Sequence, residues 1–276
     1  MDKVTIGNSV LYCGDCFSIL PRLDVQCDAI ISDPPYGITA CDWDVTLSFD
    51  RFWEVVDGKT KQAANFVLFG CGKFTIDLVN SKRKWYRYDL IWYKNRSIGF
   101  LQANKMPMRN HESILVFGRP GFQKSATYNP QKRPSGRKAG SKRWRNRKNS
   151  VYRPIKPSMS VHDGTLHPRS VLQYNNESTS LNQNNRLHPT QKPLALMEWL
   201  IKTYTNEGDT VIDPFMGSGT TGVAAVQAGR AFIGIEQKRM YFETACERLD
   251  RVQAEYKNQF PEVREMIEQK ALFTTT

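Results

Sequence analysis

The apolar run Cys27-Asp28-Ala29-Ile30-Ile31-Ser32 leads straight into Asp33-Pro34-Pro35-Tyr36, and this junction constrains the fold more than any other stretch of the chain. Two successive prolines remove two backbone N–H donors and fix φ twice, so a strand entering this corner must leave its sheet in a rigid, extended turn. Such a turn holds a carboxylate, the Pro34 carbonyl and an aromatic ring around one small space. That space suits a planar group carrying an amine, and an amino nucleobase is such a group.

Strands and helices alternate on either side of this corner. Strand-like runs read at 9–15, 27–32, 65–70, 87–94, 112–119, in DTVIDPF and at 230–236. Helical patterns read in DRFWEVVDGKTKQAA (50–64), KFTIDLVNSK, PLALMEWLIKTYT (193–205), GTTGVAAVQAG and most of 237–269. The alternation predicts an α/β fold with a largely parallel sheet and helices on both faces. Residues 120–187 break the pattern and read as an insert between two halves, 1–119 and 188–276.

Composition sets the class of partner. With 40% hydrophobic and 24% charged residues the chain reads as globular and soluble. It has no apolar run near the roughly 20 residues that span a bilayer, and its start lacks a secretory pattern, so the cytoplasm is the default. Six cysteines are scattered without framework spacing, as in a reducing compartment. Cys13 and Cys16 form a C-x-x-C that reads as a redox pair, half a zinc site, or two small side chains at a strand-to-turn junction. Nothing completes four ligands, so no metal is expected.

The formal net charge is +12, and its placement is uneven. From Arg119 to Lys156 there are 13 Lys/Arg and no Asp or Glu, leaving 26 Lys/Arg against 27 Asp/Glu elsewhere, a balance of −1. This segment mixes cations with Tyr128, Trp144, Tyr152, glycines and prolines, and shows no long apolar period. It reads as a solvated loop or, beside a base-sized pocket, as a surface that neutralises phosphates. Lys142, Arg143, Arg145, Arg147 and Lys148 surround Trp144 and are the expected duplex contacts.

The second informative stretch is VIDPFMGSGTTG at 211–222. A strand runs into Asp213, the Gly217-Ser218-Gly219 turn permits close backbone approach, and a helix beginning at Thr220 aims free N–H groups back at the turn. That helix end can hold a carboxylate. The next strand ends in Glu236, 23 residues after Asp213, where a βαβ unit offers a carboxylate to ribose hydroxyls. Gly217, Gly219 and Gly222 match G-x-G-x-x-G, and that spacing alone also allows an NAD enzyme. Asp213 separates the two readings, because it can meet a cationic amine. A ligand with a carboxylate, an ammonium and a ribose uses all three features, and S-adenosylmethionine is that molecule. Asp15, closing the first strand, reads as an acceptor for the adenine amine of this ligand or as a plain helix cap. Phe215 and Phe69 read as lining of a dry aromatic site or as core.

These residues together resemble the DPPY-type amino-group DNA methyltransferases, which modify adenine N6 or cytosine N4. The likeness rests on DPPYG at 33–37, DPFMGSGTTG at 213–222, GIE at 234–236 and HPTQKP at 188–193, with CGD at 13–15, VLFG at 67–70 and RNHESILVFG at 109–118 in support. The catalytic motif precedes the cofactor glycines and the basic insert lies between, an order that resembles the beta class. The resemblance implies a Rossmann-like, circularly permuted methyltransferase fold, a seven-stranded mixed sheet whose last strand is antiparallel. It implies a catalytic half at 1–119, a target-recognition insert at 120–187 and a cofactor-binding half at 188–276. It also implies S-adenosylmethionine as cofactor, S-adenosylhomocysteine as product, and Thr190 and Lys192 beside the cofactor's methionine end.

The chemistry expected of the corner follows from its groups. Asp33 and the Pro34 carbonyl each accept an N–H of the exocyclic amine, Pro35 stiffens the turn, and Tyr36 stacks on a base taken out of the helix. Relatives bearing DPPY usually methylate adenine, so N6 of adenine in double-stranded DNA is the expected target. A cytosine-N4 enzyme, an RNA or protein-glutamine methyltransferase and a non-catalytic DNA-binding module are the competing readings. The resemblance extends to bacteria and their viruses, with or without a partner endonuclease, so a homodimer and a cognate restriction system are carried as open partner expectations.

Overall fold

The computed structural model describes residues 2–37, 46–136, 138–143, 159–175 and 191–259. Its strands are β1 (Asp2–Ile6), β2 (Ser9–Cys13), β3 (Cys27–Ser32), β4 (Thr60–Gly70), β5 (Tyr86–Ile98), β6 (Arg109–Phe117), β7 (Arg133–Pro134), β8 (Gly140–Arg143), β9 (Met159–His162), β10 (Thr165–Leu166), β11 (Val171–Gln173), β12 (Thr210–Asp213) and β13 (Ala231–Glu236). Its helices are α1 (Cys16–Ile19), α2 (Phe49–Asp57), α3 (Gly72–Ser81), α4 (Leu194–Tyr204), α5 (Thr220–Gln227) and α6 (Arg239–Gln259). None of the described helices is long and apolar enough to cross a membrane.

Nine strands form one sheet in the order β1-β2-β13-β12-β3-β4-β6-β5-β11. The inner seven, from β2 to β5, are the expected mixed sheet, parallel except for β6, which runs antiparallel to both β4 and β5. Each edge adds one strand that the sequence reading did not contain. β1 pairs antiparallel with β2, and β11 pairs parallel with Ile91–Tyr93 of β5. Both are hard to see in sequence for physical reasons: β1 exposes three of its five residues and β11 is only three residues long.

The central strands are buried on both faces, which is why they read as continuous apolar runs. Successive side chains of β3 serve different layers. Ala29 and Ile31 pack with α4, α5 and α6 through Leu200, Val223 and Leu249, while Ile30 packs with α1, α2 and α3 through Ile19, Phe52 and Leu78. A shift of one residue in β3 would exchange the two layers.

One helix ends earlier than its sequence suggests. The pattern at 50–64 predicts helix throughout, but α2 stops at Asp57 with Gly58 as its cap, and β4 starts at Thr60. Arg119 fixes this early turn. Its guanidinium pairs with Asp57 and donates to the Asp57 and Lys61 carbonyls and to the Thr60 hydroxyl, which favours an extended chain over another helical turn.

Contacts divide the chain into two compact units, Met1–Asn129 with Ser170–Thr276, and Pro130–Arg169. Residues 120–129 and 170–175 of the basic insert therefore group with the sheet, and β11 is part of it. The smaller unit carries two antiparallel ladders, β7 with β10 and β8 with β9. Asp163 steadies it by accepting from Lys132 and from the Thr165 hydroxyl and amide.

Candidate active site

The site lies where the sheet's connections change sides. β3 and β12 are parallel neighbours, with Val211 opposite Ala29 and Ile212 opposite Ile30. The chain leaving β3 goes on to α2 in one layer, whereas β12 leads into α5 in the other. Parallel neighbours that part in this way leave a crevice at their carboxyl ends. A cavity of about 400 Å³ fills that crevice, lined on one wall by Asp33-Pro34-Pro35-Tyr36 and on another by the 213–218 turn.

Asp33 closes the first wall. Tyr36 Oη donates to Asp33 Oδ1 at 2.5 Å and Lys192 Nζ donates to Oδ2 at 2.5 Å. The same ammonium lies 3.2 Å from Glu112 Oε2, and Glu112 Oε1 accepts from Lys94. Lys94, Glu112 and Lys192 are all buried, so two cations and two carboxylates form a neutral cluster under the corner. Burial pushes the Asp33 carboxyl above its usual range, Lys192 pulls against that, and Glu112 adds to the rise. Burial also opposes the charge on Lys192, but Asp33 and Glu112 more than offset it and push the ammonium up to about 12. Phe69 and Trp92 form a floor, with Lys192 Nζ 4.8 Å from the Phe69 ring centroid. Tyr36 packs its ring on Phe74, centroids 4.8 Å apart, and burial raises its hydroxyl well above the usual range, so it remains a donor.

Asp213 joins the two walls. Its Oδ1 accepts from Ser32 Oγ at 2.5 Å and from the Phe215 amide at 3.1 Å, and its Oδ2 accepts from Thr221 Oγ1 at 2.6 Å. The sequence reading gave this carboxylate to a ligand ammonium. With three donors from the chain and 2% exposure, it instead ties the end of β3 to the start of α5.

The second wall is the glycine turn. Gly217 and Gly219 have φ of +53° and +79°, a region costly for other residues. Gly219 and Gly222 do not open toward the cavity: a Cβ at Gly219 would stand 2.9 Å from Ala245, and one at Gly222 2.6 Å from the Phe232 ring. These two glycines let α5 pack against α6 and β13. Glu236 accepts from the Gly217 amide at 3.0 Å and the Lys238 amide at 2.7 Å, and burial raises its carboxyl despite those bonds. A carboxylate has about four acceptor sites, so Glu236 keeps acceptor capacity for a ligand.

A family model described as a DNA methylase, N6_N4_Mtase, matches residues 27–247, most of the chain. The chain belongs to that family. Relatives agree: this methylase is 30% identical over 253 residues to the DNA adenine methyltransferase YhdJ of Escherichia coli K12, covering 86% of this chain and 81% of that protein. Among solved structures it is similar to the M1.HpyAVI complex with SAM (S-adenosylmethionine), with a TM-score of 0.57 and 26% identity over 87% of this chain and 98% of that one. The PvuII cytosine-N4-specific DNA methyltransferase shares the fold, with a TM-score of 0.61 and 18% identity over 92% and 94% of the two chains.

The methylase thus gathers Asp33, Pro34, Pro35, Tyr36, Asp15, Asp213, Phe215, Gly217, Ser218, Thr220, Lys192 and Glu236 around one cavity. Two have chain partners that the sequence reading did not give them: Lys192 contacts Asp33, and Asp213 accepts from Ser32, Thr221 and the Phe215 amide. Asp15 takes its helix-cap alternative, accepting from the Phe17 amide and Ser18 hydroxyl. Phe69 is fully buried beneath Lys192, whereas Phe215 lines the cavity and stacks on Phe52. Cys16 is buried, and burial with help from Asp15 pushes its thiol up to about 12, which disfavours the thiolate needed for redox or metal chemistry. Thr190, Trp144, Arg145, Arg147 and Lys148 lie outside the described residues, as do the side chains of Lys142 and Arg143 on β8.

Sequence reasoning missed Ser32, Thr221, Lys94, Glu112 and Arg248. Arg248 on α6 donates to the Ser218 carbonyl and hydroxyl and to Thr220 Oγ1, placing a cation at the glycine turn. A signal existed for Glu112, since a charge at the head of the apolar run SILVF is out of place unless paired. No signal marked Arg248 among the charges of α6.

Asp213 yields a pH prediction. Burial raises its carboxyl to about 6 from 3.8, so the folded state holds its proton more tightly than the unfolded chain. The associated stability is full below about pH 4 and is lost as pH rises through 6, by about 3 kcal/mol in total. Urea unfolding of wild type and Asp213→Asn at pH 4 to 7 should show a decline steeper by this amount in wild type than in the variant. Parallel curves for the two proteins would mean that Asp213 does not titrate there.

Proposed function

We propose that this DNA methylase transfers a methyl group from S-adenosylmethionine to the exocyclic N6 of a flipped-out adenine in double-stranded DNA, releasing S-adenosylhomocysteine. The observation that carries the reading is that Asp33, on its proline-stiffened corner, and the Gly217 turn open onto one cavity.

The residues fit the cofactor. A cavity of about 400 Å³ is within the usual range for a ligand of this size. Glu236 lines the cavity and has acceptor capacity left for ribose hydroxyls. The start of α5, with Ser218, Thr220 and the Arg248 cation, suits a carboxylate. Phe215 offers an apolar wall, and Asp15 retains lone pairs for the adenine amine after capping α1. The ammonium contact expected of Asp213 competes there with the bonds that carboxylate already accepts from Ser32, Thr221 and the Phe215 amide. Bound there, S-adenosylmethionine supplies an electrophilic methyl on a sulfonium.

The chain's own groups prepare the nucleophile. An adenine amine is weakly nucleophilic because its lone pair is delocalised into the ring. Asp33 and the Pro34 carbonyl accept its two N–H groups, which turns density toward nitrogen and fixes its direction. Asp33 must be ionised to do this. Lys192 keeps it so against the cost of burial, and Tyr36 Oη holds the carboxylate's orientation while its ring offers a stacking surface. The same carboxylate is the nearest base for the proton that leaves nitrogen.

Adenine is favoured over cytosine by the Asp-Pro-Pro-Tyr motif and by the likeness to YhdJ. The PvuII likeness supports the fold alone. Long-read sequencing of DNA from cells expressing the chain, followed by nucleoside analysis, should report N6-methyladenine at a defined site. N4-methylcytosine would move the assignment to the other branch of the family. Label that survives DNase treatment would place the product on RNA or protein instead.

Asp33→Ala should abolish methyl transfer while calorimetry still shows S-adenosylmethionine binding. Loss of binding by a folded variant would mean that the two walls have been assigned the wrong way round. Lys192→Met should move the acidic limb of the pH–kcat/KM profile to higher pH, because Asp33 loses the cation that lowers its pKa. An unmoved limb would remove Lys192 from this role.

The basic insert is assigned to the duplex, with Lys142, Arg143, Trp144, Arg145, Arg147 and Lys148 as its contacts. Removing the charges of Arg145 and Arg147 should weaken DNA binding and flatten the plot of log K against log salt by roughly 0.9 per lost phosphate contact. An unchanged slope would show that these arginines do not meet phosphates.

A further inference from the structure

Beyond the site, β5 and β6 run on together past the rest of the sheet. Gly70, the last residue of β4, pairs with Ser113, and the last pairing with β11 is at Tyr93. Past those points the two strands continue, through a register shift between Tyr93 and Ile98, to the Ile98–Arg109 pair, so β6 reaches roughly 13 Å beyond its pair with Gly70 at the usual rise per residue. It leaves from the sheet edge that carries the cavity, because β5 runs parallel to β3, β4 and β12. Its base is also bound to the site: Glu112 lies opposite Trp92 and joins Lys94 to Lys192.

The tip is built as a firm knob. Gly99 takes φ of +91°, and a single 3-10 turn follows at Phe100–Gln102. The amides of Gln102, Ala103, Lys105 and Met106 bond to carbonyls within the tip itself. With its backbone satisfied locally, the tip turns large apolar groups outward. Leu101 is 85% exposed, Phe100 73% and Met106 54%. Every residue from Asn95 to Met108 is exposed. The charges between Asn95 and His111 are Arg96, Lys105 and Arg109, with no acidic residue. Two copies of so basic a tip would repel each other across a symmetric contact, so the partner that matches its charge is a polyanion.

We infer that this hairpin is a wedge: Phe100 and Leu101 enter the base stack of the duplex as the target base leaves it, while Arg96 and Lys105 meet the flanking phosphates. Apolar side chains inserted between base steps offset the cost of unstacking, and cations beside them hold the backbone. The inference rests on the proposed action on a flipped base and adds the element that opens the helix.

The test compares wild type with the double variant Phe100→Ala, Leu101→Ala, whose exposed positions spare the core. Two duplexes carry the site found by sequencing, one with the target base paired and one with it opposite an abasic position. The variant should lose at least about tenfold in rate on the paired duplex and return to within about threefold of wild type on the other, where no pairing must be broken. Equal loss on both duplexes, or loss on neither, overturns the wedge. So does sedimentation showing that wild type is a dimer and the variant a monomer, since the tip would then be a contact between copies of this chain. Wild-type inactivity on both duplexes would instead strike the underlying reading of function, and this inference with it.

Discussion

The bridge from Ser32 through Asp213 to Thr221 is the interaction on which the site depends. Ser32 ends the strand that delivers Asp33, and Thr221 sits in the first turn of the helix that follows the glycines. One buried carboxylate therefore fixes the spacing of two walls that lie 181 residues apart along the chain. The Phe215 amide completes its coordination, so the turn between them is held as well. A buried carboxylate with one such partner missing would leave an unpaired donor or charge, which is costly in a site this dry.

The cluster beneath Asp33 works by a different logic. Each of its ions gives up hydration worth several kcal/mol, and mutual attraction recovers that only if every charge keeps its partner. Lys94, Glu112, Lys192 and Asp33 alternate in sign along the chain of contacts, and the aromatic rings of Phe69 and Trp92 shield the two cations from solvent. The result is a carboxyl whose proton affinity burial raises and Lys192 pulls back down. An acid in water would be ionised without help but would lack the direction that Tyr36 and Lys192 impose.

Much of this was legible in the sequence, for reasons that can be named. The double proline at 34–35 and the glycines at 217 and 219 demand particular backbone geometry, so the strand ends at Asp33 and Asp213 could be placed from residue identity alone. Side-chain destinations were less readable. Asp213, Lys192 and Asp15 are at the cavity, but each is committed to a partner that comes from elsewhere in the chain or from a neighbouring turn, and linear spacing does not reveal such partners. The helix predicted through Ala64 stops at Asp57 because Arg119, remote in sequence, reaches the turn. The polar strand β1 and the three-residue β11 lack the apolar repeat on which strand prediction relies. Gly219 reads as ligand-facing, whereas its missing side chain makes room for α6.

The two residues of the sheet unit that border Pro130–Arg169 are tied into that unit. Asn129 is bonded to carbonyls at Lys202, Thr203 and Thr205, and the Ser170 carbonyl accepts from Ile91 at the edge of the sheet. Between these two moorings none of the described strands joins the nine-stranded sheet. A change of length or sequence between them therefore leaves the register of the sheet's own described strands intact, because both points of departure are tied to that sheet's side of the chain.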